Sequence, residues 1–323
     1  MYIVTGGAGF IGSALVWALN QHGINDILIV DNLGRSEKWQ NLVKLSYSDY
    51  MSREKFYELI SQDKLPKNIE GIVHLGACSS TTEVDSSFLM ENNFHYSRDL
   101  CRVAIQHGIR IIIASSAATY GDGSLGFSDD LALLSKLRPL NMYGYSKHLL
   151  DLWLVREKLE KQVLTLKFFN VYGPNEYHKG NMRSVVAKAY DQIRQTGVLE
   201  LFESTVAGVA HGEQKRDFVY VKDCVKFMVW LLEHKEINGI HNVGTGTAAS
   251  FNTLAASIFK ALDLQCKIKY IPMPKELVAK YQSYTCADMR WLAPLKCPVH
   301  FRDVEMGVQD YVQNYLAQAD PYL

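Results

Sequence analysis

The 323-residue chain lacks several features that would assign it to a specialised class of protein. It has no excess of either charge, since 34 lysines and arginines balance 34 aspartates and glutamates. A neutral chain gives no reason to expect nucleic acid or an anionic membrane as its main partner. No apolar run approaches the roughly 18 residues of a membrane-spanning helix. The first residues also lack the basic stretch of a signal peptide, so we expect a cytoplasmic protein.

Cysteine and histidine are too scattered to indicate a disulfide framework or a metal site. The six cysteines contain no C-x-x-C pair, which in a chain of this size predicts reduced thiols. The ten histidines include no H-x-x-x-H pair or other clustered set of ligands. The sequence therefore predicts no metal ion.

The first half of the chain contains a regular alternation of strand-like and helix-like patterns. Helical patterns at about 10–22, 86–107 and 143–161 separate short, nearly continuous apolar runs, which lie at 2–5, 27–31, 69–77, 110–116 and 163–171. Such runs are typical of a parallel sheet that is covered on both faces. The sequence therefore predicts an α/β fold, a Rossmann-type doubly wound parallel sheet.

The second half has shorter elements and predicts a smaller C-terminal substrate lobe. Strand-like runs there alternate with helical patterns at about 222–235 and 251–262, and lie at 199–202, 217–221, 239–244 and 267–272. We expect residues 1–172 to form the cofactor-binding domain, which also takes in parts of about 215–250. Residues 173–323 are expected to form the smaller, interleaved lobe.

A glycine-rich segment, TGGAGFIG at 5–12, directly follows the first strand and opens the first helix. A glycine pattern alone is a weak signal, but this context is the one that dinucleotide binding needs. Gly6 and Gly9 allow the backbone to approach a pyrophosphate, and Gly12 allows close packing of helix and strand. The helix N-terminus supplies free N–H groups. We therefore predict a dinucleotide cofactor at this turn.

The residues after the second strand give conflicting indications about which cofactor binds. Asp31 ends that strand, where a carboxylate usually binds the adenosine ribose and favours NAD. Arg35 and Lys38 follow closely and could neutralise the 2′-phosphate of NADP. These residues leave NADP and NAD both open.

Three residues form a candidate catalytic group. Tyr143 and Lys147 are four residues apart on a predicted helix and therefore share one face. A free phenol, with a pKa near ~10, is a poor base at neutral pH, but a nearby ammonium and a cationic nicotinamide ring favour the phenolate. Ser116 ends the fourth strand, on the edge where such sheets bind ligands. Together these residues predict hydride-transfer chemistry at a hydroxyl group.

Several longer segments narrow the interpretation. They are HLGACSSTTE (74–83), ASSAATYG (114–121), PLNMYGYSK (139–147), FFNVYGPNEYHKGNM (168–182), KRDFVYVKD (215–223) and NVGTGTAASF (242–251). In order and spacing the chain resembles the extended short-chain dehydrogenase/reductase family, and within it the ADP-glyceromanno-heptose 6-epimerases, from Met1 to about Tyr315. The resemblance implies NADP, inversion at carbon 6 of an ADP-heptose for lipopolysaccharide core synthesis, and a homo-oligomer of five subunits.

The resemblance also implies roles for individual residues. Catalysis would use Tyr143 and Lys179 on two sides of the reacting carbon, with Lys147 and Ser116. The implied cofactor contacts are Gly6, Gly9, Phe10, Ile11, Gly12, Asp31, Asn32, Lys38, Arg53, Leu75, Gly76, Ala77, Cys78, Ser79, Asn92, Lys147, Val171 and Lys179. The implied substrate contacts are Ser116, Asn170, Asn181, Lys188, Phe202, Glu203, Ser204, Thr205, Arg216 and Tyr281.

Some positions depart from the family pattern. Arg53 stands where lysine is expected, Asn181 where serine is expected and Lys188 where histidine is expected. The loop between Phe202 and Arg216 is several residues longer than the pattern. Most of these differences lie on the substrate side, so the individual substrate contacts there are open.

Other functions remain as alternatives. A 4,6-dehydratase would need a carboxylic acid and a carboxylate where this chain has Ala117 and Ala118, which argues against it. Another nucleotide-sugar epimerase is harder to exclude by chemistry. A non-catalytic NADP-binding protein would usually lack Tyr143 or Lys147, and both are present.

Overall fold

The computed structural model describes residues 1–278 and 281–323. In chain order its strands are β1 (Tyr2–Thr5), β2 (Ile27–Asp31), β3 (Asp49–Ser52), β4 (Gly71–His74), β5 (Ile111–Ser116), β6 (Leu164–Phe168), β7 (Asn170–Tyr172), β8 (Leu199–Phe202), β9 (Lys215–Arg216), β10 (Phe218–Tyr220), β11 (Gly239–Val243), β12 (Ala249–Ser250) and β13 (Ile268–Ile271). Its helices are α1 (Phe10–Gln21), α2 (Arg53–Ser61), α3 (Ser86–Leu89), α4 (Tyr96–Gln106), α5 (Leu131–Leu134), α6 (Met142–Arg156), α7 (Val185–Thr196), α8 (Val221–Glu233), α9 (Phe251–Ala261), α10 (Lys275–Val278) and α11 (Val304–Tyr311).

The main sheet has seven parallel strands in the part of the chain that the structure describes. Their order is β11-β6-β5-β4-β1-β2-β3. The chain builds outward from β1 through β2 to β3, and then crosses to β4 and builds in the other direction. Ligands bind where the strand order reverses in this way, outside the carboxyl ends of the strands. The predicted doubly wound α/β fold is confirmed.

Both faces of this sheet are covered, which explains why the central strands are apolar without alternation. Val4 and Ile29 face a cluster that includes α1 and α8. Ile3 and Leu28 face the opposite cluster, which includes residues of α2, α4 and α6. The central strands therefore contribute alternate side chains to two cores, so apolar residues are needed on both of their faces.

A further apolar cluster lies in the second half of the chain. Val186 and Ile193 of α7 pack there with Leu254 and Ile258 of α9 and with Val308 of α11. After entering this region the chain returns to the main sheet, because β11 pairs with β6 in parallel. The last strand of the main sheet therefore comes from the second half of the chain.

The structure differs from the sequence prediction at several elements. The run 163–171 is not one strand: it bends after Phe168, and β7 pairs instead with β10. The predicted helix to residue 161 ends at Arg156, and Lys158 takes a positive φ of 59°. Strand β3 and helices α2, α7 and α11 were not predicted. Within residues 1–278 and 281–323, no helix is both long and apolar enough to cross a membrane.

Candidate active site

The glycine-rich turn is shaped so that side chains do not fit. A Cβ on Gly12 would lie 2.0 Å from the carbonyl oxygen of Gly6, and a Cβ on Gly6 would lie 2.7 Å from the backbone nitrogen of Gly76. Gly6 also has a φ of +68°, which favours glycine. Gly9 caps α1 without a side-chain hydrogen bond, so the first N–H groups of that helix are available to an anion. The turn therefore fits a dinucleotide pyrophosphate.

A cleft of about 430 Å³ opens beside this turn. It contains nine of the predicted cofactor residues, namely Gly6, Asp31, Asn32, Lys38, Arg53, Gly76, Ala77, Cys78 and Asn92. Asp31 is fixed at its floor, where its carboxylate accepts from the Ala8 N–H at 2.9 Å and from the Lys38 ammonium at 2.9 Å. Arg35 also lines the cleft. Three cationic side chains, Arg35, Lys38 and Arg53, therefore line the cleft. Lys38 neutralises Asp31.

The other predicted cofactor residues are not part of the cleft lining. Leu75 packs against the apolar core, and Val171 lies in β7. Gly9, Ile11 and Gly12 belong to the turn and the start of α1, and Ser79, Lys147 and Lys179 are also outside the lining. Lys179 comes to the glycine-rich turn through Phe10, because its Nζ atom lies 5.3 Å from the centre of that ring. The structure thus brings the segment around Lys179 to the predicted cofactor site.

The candidate catalytic group assembles between α6 and the end of β5. The side chain of Asn141 accepts from the Gly144 N–H at 2.8 Å and fixes the start of α6. One turn further on, the buried Lys147 donates from Nζ to the Ala114 carbonyl of β5 at 2.8 Å. Ser116 ends that strand, and its side chain lies close enough to the phenol of Tyr143 to lower the pKa of that phenol. Tyr143, Lys147 and Ser116 therefore lie where α6 meets the end of β5.

Burial dominates the electrostatics of this group. It raises the pKa of Tyr143, and the nearby Ser116 side chain only partly opposes this effect. The expected phenolate depends on two cations, Lys147 and the nicotinamide ring. Burial also lowers the pKa of Lys147 to about 8, while the Asp151 carboxylate acts in the opposite direction. A phenolate at neutral pH would thus need a further positive charge beside Tyr143.

Lys179 lies beside a buried carboxylate. Glu176 is fully buried and accepts from the Ser184 hydroxyl at 2.6 Å and from the Gly173 N–H at 3.3 Å. Burial lowers the pKa of Lys179, and the negative charge of Glu176 opposes the change. A lysine in these surroundings is closer to releasing a proton than an exposed one.

A second cavity, of about 250 Å³, lies between α7 and β8. The predicted substrate residues Lys188, Phe202 and Tyr281 line it, together with apolar groups such as Leu201 and Phe251. The described lining does not include the other predicted contacts on this side, which are Asn170, Asn181, Glu203, Ser204 and Thr205. Asn181 is exposed on the surface. The structure therefore groups only some of the predicted substrate residues.

Arg216 stands beside this second cavity and is only 8% exposed. Its guanidinium carbon lies 5.0 Å from the centre of the Tyr281 ring. Asp217 does not pair with it; that carboxylate instead accepts from Thr245 and Ala287. Among residues 1–278 and 281–323, no carboxylate forms an ion pair with Arg216, and burial lowers the pKa of its guanidinium. A buried arginine without a counter-charge is a candidate anion site.

Sequence reasoning missed Asn93, which joins the two sides of the candidate site. Its side-chain oxygen accepts from the Cys78 N–H at 2.9 Å, and its amide donates to the Cys78 carbonyl and to the Ser146 hydroxyl, both at 3.0 Å. The loop after β4 is thereby tied to α6. The available signal was a fully polar Asn92–Asn93 pair inside a helical pattern, where an apolar residue is more usual.

The fold and the site together define a class of protein. The glycine-rich turn lies at the switch point of a doubly wound sheet, and a tyrosine–lysine pair faces a serine at the end of a neighbouring strand. This is the arrangement of a nucleotide-cofactor enzyme that acts on hydroxyl groups. The model of the NAD dependent epimerase/dehydratase family matches residues 2–244, and the chain belongs to that family. A nicotinamide cofactor therefore belongs to the enzyme.

Individual relatives are similar over the whole chain. An ADP-L-glycero-D-manno-heptose-6-epimerase of Nitratidesulfovibrio vulgaris is 58% identical over 323 residues, which is 100% of both chains. A protein of the same name from Fusobacterium nucleatum is 48% identical, again over 100% of both. The solved structure of the Helicobacter pylori ADP-L-glycero-D-manno-heptose-6-epimerase is 26% identical and has a TM-score of 0.80. It covers 98% of this chain and 96% of its own.

Proposed function

We propose that the chain interconverts ADP-D-glycero-β-D-manno-heptose and ADP-L-glycero-β-D-manno-heptose by oxidation and reduction at carbon 6, with NADP as its cofactor. The observation that carries the reaction type is the meeting of Tyr143, Lys147 and Ser116 at the carboxyl edge of the sheet. The substrate follows from the 58% identity to a heptose epimerase over the full chain.

The chemistry requires an oxidised intermediate. The C–H bond of an unactivated carbinol is not acidic, so deprotonation of carbon cannot invert it. When it is bound, the nicotinamide cofactor supplies reversible hydride acceptance at that carbon. Tyr143 removes the hydroxyl proton of one epimer and returns it when that epimer re-forms, Ser116 holds the same oxygen by a hydrogen bond, and the Lys147 ammonium stabilises the phenolate.

Inversion also needs an acid–base group for the opposite face of the substrate ketone. We assign this role to Lys179, because burial lowers the pKa of its ammonium and moves it towards a working range. The competing role is a plain phosphate-binding cation. A Lys179→Met variant distinguishes the two: it abolishes inversion at saturating substrate in the first case, and mainly raises KM in the second.

The surroundings of Asp31 support NADP over NAD. Lys38 neutralises the carboxylate that would otherwise repel a 2′-phosphate. Arg35 and Arg53 line the same cleft and add two positive charges. Planar guanidinium groups suit phosphate oxygens.

The second cavity and Arg216 support an ADP-linked substrate. The apolar walls of the cavity fit a flat base, and the buried Arg216 guanidinium beside it fits the pyrophosphate. The proposal also includes the division into a cofactor domain (1–172, with parts of about 215–250) and a substrate lobe (173–323). A pentamer in the cytoplasm completes it, and sedimentation velocity of the purified protein tests the pentamer.

The direct test is a proton NMR assay. We expect the purified protein, without added cofactor, to convert either ADP-heptose epimer into one common mixture. Tyr143→Phe should lower kcat about 1000-fold, within the usual range for acid–base groups, and still bind cofactor. Tyr145→Phe is the matched control, because Tyr145 is two residues away and 45% exposed.

Two outcomes would overturn the proposal. Conversion of a UDP-sugar but not of ADP-heptose would identify another nucleotide-sugar epimerase. Tight cofactor binding without any turnover would identify a non-catalytic binding protein. Full activity in Tyr143→Phe would remove Tyr143 from its assigned role.

A further inference from the structure

A buried ion pair lies directly behind the candidate catalytic group. Lys167 of β6 is 1% exposed and Asp151 of α6 is 0% exposed. The Lys167 Nζ atom lies 3.2 Å from the Asp151 carboxylate, 3.0 Å from the Thr119 hydroxyl and 4.7 Å from the centre of the Tyr120 ring. The Lys167 ammonium therefore interacts with a carboxylate, a hydroxyl group and the face of an aromatic ring.

Such a pair is a poor choice for stability alone. Removing two charges from water costs several kcal/mol per ion, and well-packed apolar residues often stabilise a core equally well. Lys167 pairs in register with polar residues on both neighbouring strands, Ser115 of β5 and Asn242 of β11, whereas the leucines of β6 belong to the apolar cluster on the other face. The pair thus calls for a role beyond holding the core together.

One side of the pair reaches Ser116. The Thr119 hydroxyl, which accepts from Lys167, donates to the Ser116 carbonyl at 2.9 Å. This bond ties the Thr119 side chain to Ser116, the residue at the start of the short 3₁₀ turn Ala117–Tyr120. The ammonium of Lys167 therefore fixes the turn on which the position of Ser116 depends.

The other side of the pair lies on the same helix as Lys147 and acts on it through its charge. Asp151 is four residues after Lys147 on α6, and Tyr143 is four residues before it, so the three lie on one helix face. The Asp151 carboxylate also accepts from the Ser115 hydroxyl at 3.0 Å, which ties α6 to β5. Its charge raises the pKa of the Lys147 ammonium against the effect of burial.

Few other groups can set the charge of Lys147. From β4, His74 is neutral because burial lowers its pKa to about 3. From the loop after β4, the Cys78 thiol acts in the same direction as Asp151 but more weakly. From β5, Lys147 meets the uncharged Ala114 carbonyl. Asp151 is therefore the main carboxylate acting on it.

We propose that Lys167 and Asp151 position the catalytic group: Lys167 fixes the Ser116 turn through Thr119, and Asp151 keeps Lys147 in its ammonium form. This inference rests on the proposed function. Both are positioning residues, since neither touches the reacting atoms, and they act on the two sides of Tyr143.

The test uses two variants and the full enzyme with its cofactor. Asp151→Asn keeps the shape and removes the charge, so the alkaline limb of the kcat profile should move to lower pH by about one unit. Lys167→Met with Asp151→Leu removes the whole pair without leaving a lone buried charge. We expect it to fold and to lose about 100-fold in kcat, the usual effect of a 1 Å misplacement, with KM changed little.

A matched control and a second readout keep the outcomes distinct. Lys222→Met with Asp310→Leu removes an ion pair of 3.0 Å between α8 and α11, and should leave kcat and its pH profile unchanged. Competitive acetylation of Lys147, followed by mass spectrometry across pH, reports its protonation without turnover. In Asp151→Asn that titration should also move to lower pH.

Unchanged kcat, pH profile and acetylation in both variants would overturn the inference and leave the pair a structural feature. Failure of the wild-type enzyme to epimerise would instead overturn the proposed function. In that case the acetylation titration of Lys147 still decides whether Asp151 controls its charge.

Discussion

Substitution of Gly12 by alanine tests the packing of the glycine-rich turn. The added Cβ would lie 2.0 Å from the Gly6 carbonyl oxygen, 2.7 Å from the Gly6 carbonyl carbon and 2.9 Å from the Gly7 Cα atom. Ordinary contacts are about 3.5 Å or longer, so α1 would have to move away from the turn by about 1.5 Å. All three obstructing atoms belong to backbone, and α1 is packed against α8.

Overpacking of this kind costs about 1–3 kcal/mol, and we expect the upper end because the backbone cannot yield. Since the moved helix carries the N–H groups for the pyrophosphate, about 3 kcal/mol corresponds to a loss of about 100-fold in cofactor affinity. The assay is isothermal titration of stripped enzyme with NADP, together with the melting temperature.

Two control variants separate the causes. A Cβ on Gly9 would meet only the Gly6 carbonyl oxygen, at 3.1 Å, so Gly9→Ala should lower the melting temperature much less than Gly12→Ala. Gly23 has open space around it but a φ of +75°, so Gly23→Ala should lower stability by about 1–2 kcal/mol without changing cofactor affinity. Wild-type affinity and melting temperature in Gly12→Ala would refute the argument.

Three further predictions concern the ligands and the C-terminal segment. Arg53→Gln should reduce the preference for NADP over NAD by about 10-fold or more, since a charged hydrogen bond contributes about 1.5–3 kcal/mol. An equal loss of affinity for both cofactors in paired titrations would contradict the assignment of Arg53 to the 2′-phosphate. Arg216→Leu should raise KM for the ADP-sugar at least about 10-fold with little change in kcat in steady-state assays. A fall in kcat at unchanged KM would show that Arg216 does not simply bind the pyrophosphate equally in the ground state and the transition state. Leu323→Ala should lower the free energy of unfolding by about 2 kcal/mol, because its buried side chain leaves a cavity beside Asn175; an unchanged urea midpoint would show that the segment contributes no packing.

The central strands could be predicted from the sequence because they are buried on both faces. Strand β2, for example, is a run of five buried residues, ILIVD, and no amphipathic pattern competes with it. Strand β3 was missed because it is an edge strand whose residues are exposed or half-buried. The break after Phe168 was missed because the apolar run continues beyond it. The bend depends on contacts with distant segments, since the backbone N–H of Phe169 donates to the Val243 carbonyl and that of Asn170 to the Asp217 carbonyl.

The site divides in the same way. Tyr143 and Lys147 could be predicted because a helix fixes residues four apart on one face. Asn93 and Lys167 could not be predicted, because a polar residue is assigned to the surface from sequence alone. Only the fold shows that these two side chains are buried. Their importance comes from burial, and burial is set by segments far away in the chain.

The charged groups of the site share one physical condition. Burial lowers the pKa of Lys147, Lys179 and Arg216, and raises that of Tyr143. Each shift disfavours the charged form of the group. A dinucleotide and an ADP-sugar would bring the missing counter-charges: phosphates for Arg216 and a cationic ring for Tyr143. Ligand binding would thus supply the counter-charges that these buried groups lack. Lys147 is the exception, because the protein's own Asp151 carboxylate favours its ammonium form.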